Sequence, residues 1–282
     1  ALHYITANNL PELDAETRDY QKSCMVTRFS VFAYRCCQHN TGSGWPNFVQ
    51  SLFFENECGG LTAYTFAPCT FNGLVAGKRV RIIEETDYPF NTMIRFSISS
   101  PDGSFPLKIR KPKWAKNVSV SACSNFEEAY NCKEPYITLN VSDGESYTVT
   151  FAEEVSVRSF PKNNGCICID RGPLTYSLCL KEQWTEVAQH IDRSGRVWVD
   201  SDVKAMSPYA FALDISRPIE VKKMSPIPLH PFTSQDAPIV LQVWGKPFPS
   251  WKIGDDNTIM EVPASPVNYL STQVEPLAFV PL

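Results

Sequence analysis

The chain lacks the features that mark nucleic-acid-binding and membrane proteins. Its 282 residues carry 26 basic and 30 acidic side chains, a formal net charge of −4, which gives no positive field for a phosphate backbone. No apolar run approaches the roughly 18 residues that span a bilayer. The start of the chain does not resemble a signal peptide, with its charged region followed by an apolar stretch. We therefore expect no nucleic-acid partner and no membrane span.

The common catalytic motifs are also missing. The chain contains no phosphate-binding glycine loop, no G-x-S-x-G elbow and no H-E-x-x-H helix. None of its ten cysteines is spaced as C-x-x-C. Adjacent acids occur at Glu84-Glu85, Glu127-Glu128 and Glu153-Glu154. Consecutive residues of a strand point to opposite faces, so no such pair can flank one bond, and we expect solvated strand ends.

What the sequence does contain is a series of short alternating runs, which predicts a mainly β protein. Turn sequences such as Pro101-Asp102-Gly103 separate the runs. Strands are predicted at 61–67, 78–86, 92–100, 105–112, 117–123, 136–141, 146–160, 166–170, 174–180, 211–215 and 238–245, and near the C-terminus. After Trp184 a long irregular stretch is predicted, interrupted only by the last of these strands. Many short strands at this spacing are typical of β-sandwiches.

One helix is predicted, at residues 44–55. In GWPNFVQSLFFE the apolar residues recur at spacings of three and four, and Pro46 falls in the first turn. Residues 1 to about 40 are predicted to form a loop with short helical pieces. The pattern divides the chain into residues 1–58, a first sandwich at 59–162 and a second sandwich at 163–282.

The stretch YRCCQHN, residues 34–40, contains the paired cysteines Cys36 and Cys37. A disulfide between neighbours would be strained and reducible. As zinc ligands both sulfurs would be deprotonated, and one could attack an electrophilic carbon. His39 is a candidate third ligand, or the base of a Cys-His nucleophile, although the papain-type signature is absent. Taken alone, the motif favours buried structural thiols.

Five segments, in this order, resemble glycoside hydrolase family 127 and its wider group of bacterial proteins, especially members from gut Bacteroides. They are YRCCQHN, GWPNFVQSLFF, EETDYPFNTMIRFSI, FPLKIRKPKWA and CICIDRGPLTYSL. The resemblance rests on the paired cysteines, on Tyr88-Pro89, on Pro112 and Trp114, and on the segment Arg171-Gly172-Pro173-Leu174. It covers residues 1 to about 180 and continues more weakly to the end.

The resemblance implies a catalytic (α/α)6 helical toroid followed by two β-sandwiches, with residues 1–58 as the last part of the toroid. Relatives are retaining β-L-arabinofuranosidases that act on plant glycans. Carried over by position, Cys36 is the nucleophile that attacks the anomeric carbon, and Cys36 and Cys37 both bind zinc. The family's Glu-x-Cys ligands and its acid/base Glu precede the paired cysteines. No match to either is visible among the residues before Cys36.

The sequence thus predicts the C-terminal part of a zinc-thiolate glycosidase that is inactive without the missing N-terminal toroid domain. The substrate would be a plant-type glycan or oligosaccharide. The protein would be periplasmic or extracellular if the full-length protein carries a signal peptide. The alternative is a non-catalytic sandwich module that binds glycan or supports a partner enzyme. Its candidate stacking or core residues are Trp184, Trp198, Trp244 and Trp251.

Overall fold

The computed structural model describes residues 12–13, 35–122, 127–129, 135–253, 261–268 and 272–281. Within these ranges it gives the backbone alone at residues 12–13, 35–39, 41 and 127–129. The described chain is mainly strands with one helix, α1 (Arg35–Gln50), which confirms the predicted class. This helix is neither long nor apolar enough to cross a membrane.

The strands of the first half follow one another closely along the chain. They are β1 (Glu12–Leu13), β2 (Phe53–Glu55), β3 (Leu61–Ala63), β4 (Cys69–Val75), β5 (Lys78–Thr86), β6 (Met93–Ser99), β7 (Phe105–Arg110), β8 (Val118–Ala122), β9 (Glu127–Ala129), β10 (Tyr136–Val141) and β11 (Ser146–Phe151).

The strands of the second half include the longest ones in the described chain. They are β12 (Val155–Phe160), β13 (Cys166–Arg171), β14 (Leu174–Leu178), β15 (Glu182–Ile191), β16 (Val197–Ala205), β17 (Phe211–Leu213), β18 (Glu220–Lys223), β19 (Ile239–Pro247) and β20 (Glu275–Pro281).

Two sheets share one hydrophobic core in the first half of the chain. The smaller sheet has the order β10–β7–β3–β2, and the larger has the order β4–β5–β6–β11–β8–β9. Leu107 and Ile109 of the smaller sheet lie in the same buried cluster as Ile82, Ile94 and Phe96 of the larger one. Side chains alternate between this core and solvent in strands such as β10 and β6, whereas β3 is buried along its whole length. The packing is that of a β-sandwich.

The second half is organised around a seven-stranded sheet. Its order is β12–β13–β14–β20–β19–β17, and β18 also pairs with β19. Ile169, Tyr176, Leu241 and Phe279 of this sheet form a second buried cluster, together with Phe90 from the first half. A separate sheet has the order β1–β16–β15, and none of its described residues belongs to that cluster. The second sandwich therefore stays a prediction.

One long strand was predicted over residues 146–160, and this prediction is wrong. β11 ends at Phe151 and pairs with β6 and β8, whereas β12 begins at Val155 and pairs with β13. The two strands belong to different sheets. The sheets therefore divide within residues 152–154, while the predicted domain boundary at 162 and 163 falls in the turn between β12 and β13.

The hairpin of β15 and β16 occupies part of the chain that was predicted to be irregular. Its two strands pair over ten and nine residues, with a register shift between Glu186 and Ala188. This bulge interrupts the two-residue alternation on which a strand prediction depends. The sequence of β15 is also mostly polar and the strand is largely exposed, so no apolar alternation marks it as a strand.

Helix α1 differs from the helix predicted at residues 44–55. It ends at Gln50, and residues 53–55 form strand β2 instead. Pro46 accordingly lies inside the helix rather than in its first turn. Trp45 is 67% exposed, and the described side chains of the helix are nearly all solvent-accessible. The helix therefore contributes little to either described core.

Gly60 allows the close approach of β3 and β7, and its substitution tests this packing. A Cβ atom at Gly60 would lie 1.9 Å from the carbonyl oxygen of Pro106, which is backbone and cannot move aside. We expect Gly60→Ala to lower the free energy of unfolding by roughly 2–4 kcal/mol, measured by urea denaturation.

Gly42→Ala is the matched control for Gly60→Ala. A Cβ atom at Gly42 would meet nothing within 4 Å, and the residue lies in α1. Because alanine favours a helix by up to about 1 kcal/mol over glycine, this variant should be as stable as the parent or slightly more so. Equal stability of the Gly60→Ala variant and the parent would contradict the proposed steric role.

Candidate functional site

The paired cysteines lie in helix α1. Cys36, Cys37 and His39 have helical backbone, where loop with short helical pieces was predicted. Their side chains lie outside the described residues. Successive residues of an α-helix are about 100° apart around its axis. One ion could therefore contact both sulfurs only from a position between the two side-chain directions.

The described residues supply no other metal site. They contain no group of three or more His, Cys, Asp or Glu side chains that could hold an ion. The cysteines with described side chains are all free thiols, namely Cys58, Cys69, Cys166, Cys168 and Cys179. Zinc is usually bound by four ligands in a tetrahedron. The paired cysteines would supply half of such a set.

Glu84 is a buried acid, which corrects the prediction that the pair Glu84-Glu85 is solvated. It is 1% exposed and occupies an inward-facing position of β5, after Val80 and Ile82. The backbone N–H of Ala67 donates a hydrogen bond to its Oε1 atom over 3.1 Å. The thiol of Cys69 lies 3.9 Å from its Oε2 atom. Only Glu85 of the pair faces solvent.

The protonation of this acid follows from its burial. Burial raises the pKa of Glu84 to about 8, although the hydrogen bonds from Ala67 and Cys69 oppose the shift. Burial and the neighbouring carboxylate raise the pKa of Cys69 to about 12. Both groups are therefore neutral at pH 7. Acids with a raised pKa often mark catalytic sites. However, the Glu84 side chain is only 1% exposed within the core of the first sandwich, so it cannot reach a sugar.

Several residues of the segments that resemble the family lie where the first sandwich approaches the seven-stranded sheet. We call this contact the seam, formed by Tyr88, Phe90, Trp114, Glu153, Arg171, Gly172 and Lys223. Tyr88 packs against the first core, with its ring 5.6 Å from that of Phe66. Phe90, two residues later, belongs to the second core and lies 5.0 Å from Phe232.

Trp114 and Gly172 bring a second pair of motifs together at the seam. The indole ring of Trp114 meets Phe151 edge-on at 6.0 Å. Gly172 has a φ of +56°, and a Cβ atom there would lie 3.8 Å from the Trp114 ring and 3.4 Å from Glu153. Burial raises the pKa of Tyr88, opposed by the charge of Arg110 and a hydrogen bond from Trp114. The motifs around 88, 114 and 171 thus form one contact.

Glu153 is the charged centre of the seam, although it was predicted to be solvated. Its Oε1 atom accepts hydrogen bonds from Arg171 and, over 2.7 Å, from Lys223. The side chains of Glu153 and Arg171 are only 14% and 6% exposed. The Glu153 Oε2 atom is buried without a hydrogen-bond partner. Burial raises the pKa of Tyr176, and the charge of Arg171 opposes the shift.

The four candidate tryptophans have different environments. Trp184 is 52% exposed. The guanidinium of Arg217 covers Trp244 at 5.0 Å, and the Trp198 indole donates to Asp192 over 2.9 Å. Trp251 is half-buried. Trp184 is therefore the most exposed residue of the four.

The described contacts of Glu84 and Glu153 support a role in packing. The burial of Glu84 and Glu153 was not predicted from the sequence, because each acid was interpreted only together with its acidic neighbour. For Glu84 a signal was present, because it continues the inward alternation of Val80 and Ile82 in β5. For Glu153 the sequence holds no comparable signal, since its partners Arg171 and Lys223 come from distant strands.

Comparison with known proteins identifies relatives of both fold and sequence. Residues 60–152 match the family model of the beta-L-arabinofuranosidase GH127 middle domain. The chain is similar in structure to a GH127 beta-L-arabinofuranosidase from Geobacillus stearothermophilus T6, with a TM-score of 0.62 and 17% identity, over 97% of this chain and 39% of that one. A protein named only as a glycoside hydrolase aligns with a TM-score of 0.53 and 15% identity, over 87% of this chain and 36% of that one. No curated protein matches the chain.

The burial of Glu84 predicts a specific pH dependence of stability. Below about pH 4.5 the acid is protonated in both the folded and the unfolded chain. As the pH rises towards 8 only the unfolded chain loses the proton, so this group makes folding progressively less favourable. Glu84→Gln cannot ionise and should be more stable than the parent by roughly 3 kcal/mol at pH 7. Urea denaturation between pH 5 and pH 8 measures this difference.

Glu85→Gln is the control for this experiment. Its side chain is on the exposed face of the same strand, so the variant should keep the pH dependence of the parent. A Glu84→Gln variant whose stability parallels that of the parent across this range would show that Glu84 is not protonated by burial.

Proposed function

We propose that the chain acts as the C-terminal part of a retaining glycosidase resembling beta-L-arabinofuranosidase, because its residues 60–152 match the family model of the GH127 middle domain. The chain spans 39% of the length of the related Geobacillus enzyme. The proposed substrate is a plant-type glycan or oligosaccharide. The observation that carries the proposal is the order of the parts, since a helix with paired cysteines directly precedes the matched middle domain.

The proposed chemistry assigns different roles to the two cysteines. Cys36 attacks the anomeric carbon as a thiolate, a Cys36–sugar thioether bond forms, and the bond to the leaving oxygen breaks. Water then displaces the sulfur in a second step, which retains the anomeric configuration. Cys37 is proposed as a metal ligand beside it. Zinc held by the pair would keep both sulfurs deprotonated at neutral pH.

A separate carboxylic acid must protonate the leaving oxygen in such a displacement. The two buried acids with described surroundings do not suit this role. Glu84 is enclosed in the first core, and Glu153 is engaged by Arg171 and Lys223. We propose that the acid comes from a helical domain like that of the relatives. The 282 residues alone are then inactive.

A second candidate function is a non-catalytic module that binds glycan. Trp184 supports this alternative, because the residue is 52% exposed and its indole N–H donates a hydrogen bond to the Glu182 carboxylate over 3.0 Å. An aromatic face beside a hydrogen-bonding group is a common arrangement for holding a sugar ring. In this case Trp184→Ala would abolish glycan binding, whereas Cys36→Ser would have no effect on it.

The first test of the proposal measures activity on a synthetic β-L-arabinofuranoside. The 282-residue chain should show no turnover above the buffer control, because general acid catalysis contributes a factor of about 10² to 10⁴. A protein that joins this chain to a helical domain from a relative should be active, and its Cys36→Ser variant inactive. Robust turnover by the 282-residue chain alone would refute the proposed division of roles.

The second test measures zinc in the purified protein by mass spectrometry. In the protein that joins this chain to a helical domain we expect one zinc per chain, retained in Cys58→Ser and lost in Cys37→Ser. Cys58 is the control because it is an exposed free thiol, outside the helix that carries the pair. A metal-free protein in which Cys36 and Cys37 both resist alkylation would instead assign the pair to structural packing.

A further inference from the structure

Two contacts cross from the first sandwich and its outgoing linker to the seven-stranded sheet. One is the Phe90 side chain and the other is the Glu153 carboxylate. We infer that these two contacts set the orientation of the seven-stranded sheet on the middle domain and make the two units one rigid body. This role is independent of the proposed catalytic chemistry.

The apolar contact begins in the connection between β5 and β6. Phe90 is 8% exposed, although it belongs in sequence to the first sandwich. Its neighbours are Phe232 and the cluster that contains Ile169 and Leu241. Phe90 is therefore an anchor from one unit in the core of the other.

The charged contact comes from the linker itself. Residues 152–154 connect β11 of the first sandwich to β12 of the second sheet, and Glu153 is the central residue. Its Oε1 atom binds Arg171 of β13 and Lys223 of β18, strands that are four places apart in the sheet order. One linker carboxylate thus joins two separate parts of the same sheet. A rotation of the sheet about the linker would break at least one of these bonds.

The chemistry of this group points to orientation and not to stability alone. Removing Glu153 and Arg171 from water is costly, and replacing such buried ion groups with apolar residues is often neutral or stabilising. The group is also imperfectly satisfied, since the Glu153 Oε2 atom is buried without a hydrogen-bond partner. Hydrogen bonds of fixed direction define an angle between two bodies, whereas apolar contacts permit sliding.

The sequence motifs provide an independent argument. Tyr88, Trp114 and the segment Arg171-Gly172 carry the resemblance to the family, yet none of them has a role in the proposed displacement. In the structure Gly172 leaves room for both Trp114 and Glu153 at the seam, and Tyr88 accepts a hydrogen bond from Trp114. The motifs therefore have a common physical function in joining the two units.

The experiment measures how often the seam opens in the 282-residue chain. Chymotrypsin cleaves after phenylalanine, and Phe90 is accessible only when the sheet moves away from it. Under native conditions we expect Glu153→Gln to be cleaved after Phe90 roughly tenfold faster than the parent or more, because Arg171 loses its buried partner. Lys223→Met should also be cleaved faster, and it leaves the buried Glu153–Arg171 pair in place if Glu153→Gln does not fold.

Glu154→Gln is the matched control, since this neighbouring side chain is 51% exposed and pairs with Lys116 outside the seam. It should be cleaved at the parent rate. The double variant Glu153→Leu/Arg171→Met separates orientation from stability. We expect it to regain the thermal stability of the parent while Phe90 remains rapidly cleaved. Parent-like cleavage of Glu153→Gln and Lys223→Met, or recovery of slow cleavage in the double variant, would overturn the inference.

Discussion

Burial of every second side chain between two facing sheets is the constraint on which the described structure depends. In the first sandwich it places Ile82, Ile94 and Leu107 in one core and leaves no room for an uncompensated charge. Glu84 satisfies the same constraint by remaining protonated and accepting a hydrogen bond from Ala67. At the edge of this core, Gly60 lets the backbone of β3 begin its pairing with β7. Packing therefore explains both the acid and the glycine.

A different requirement governs the joint between the two units. The linker must end one sheet and begin another within residues 152–154, and Glu153 does so by turning its carboxylate towards Arg171 and Lys223. Phe90 adds apolar contact from the other side of the joint. Tyr88, Trp114 and the segment Arg171-Gly172, on which part of the resemblance to family 127 rests, gather at or beside this seam.

The functional proposal rests on a different part of the chain. Helix α1 carries Cys36 and Cys37 and is largely exposed in its described part, so neither described core encloses it. A zinc-thiolate pair needs further ligands and a separate acid. The described side chains contain no group of three or more possible metal ligands, and Glu84 and Glu153 are both engaged in packing contacts. Since the chain spans 39% of the related enzyme, the proposal assigns those groups to a helical domain. The matched middle domain then supports the catalytic domain without taking part in the chemistry.

The mainly β class and strands such as β5 and β10 could be predicted from the sequence, because regular alternation is a local property. The family resemblance could also be read from the sequence, and it is confirmed over residues 60–152. Prediction from the sequence failed for β15, where a bulge interrupts the alternation, and for residues 146–160, where one continuous pattern crosses two sheets. Three features required the three-dimensional structure: the neutral state of Glu84 in the core, the position of Phe90 in the second core, and the contact of Glu153 with the seven-stranded sheet. Each depends on partners from distant strands, and the burial and charge of a side chain are set by those partners.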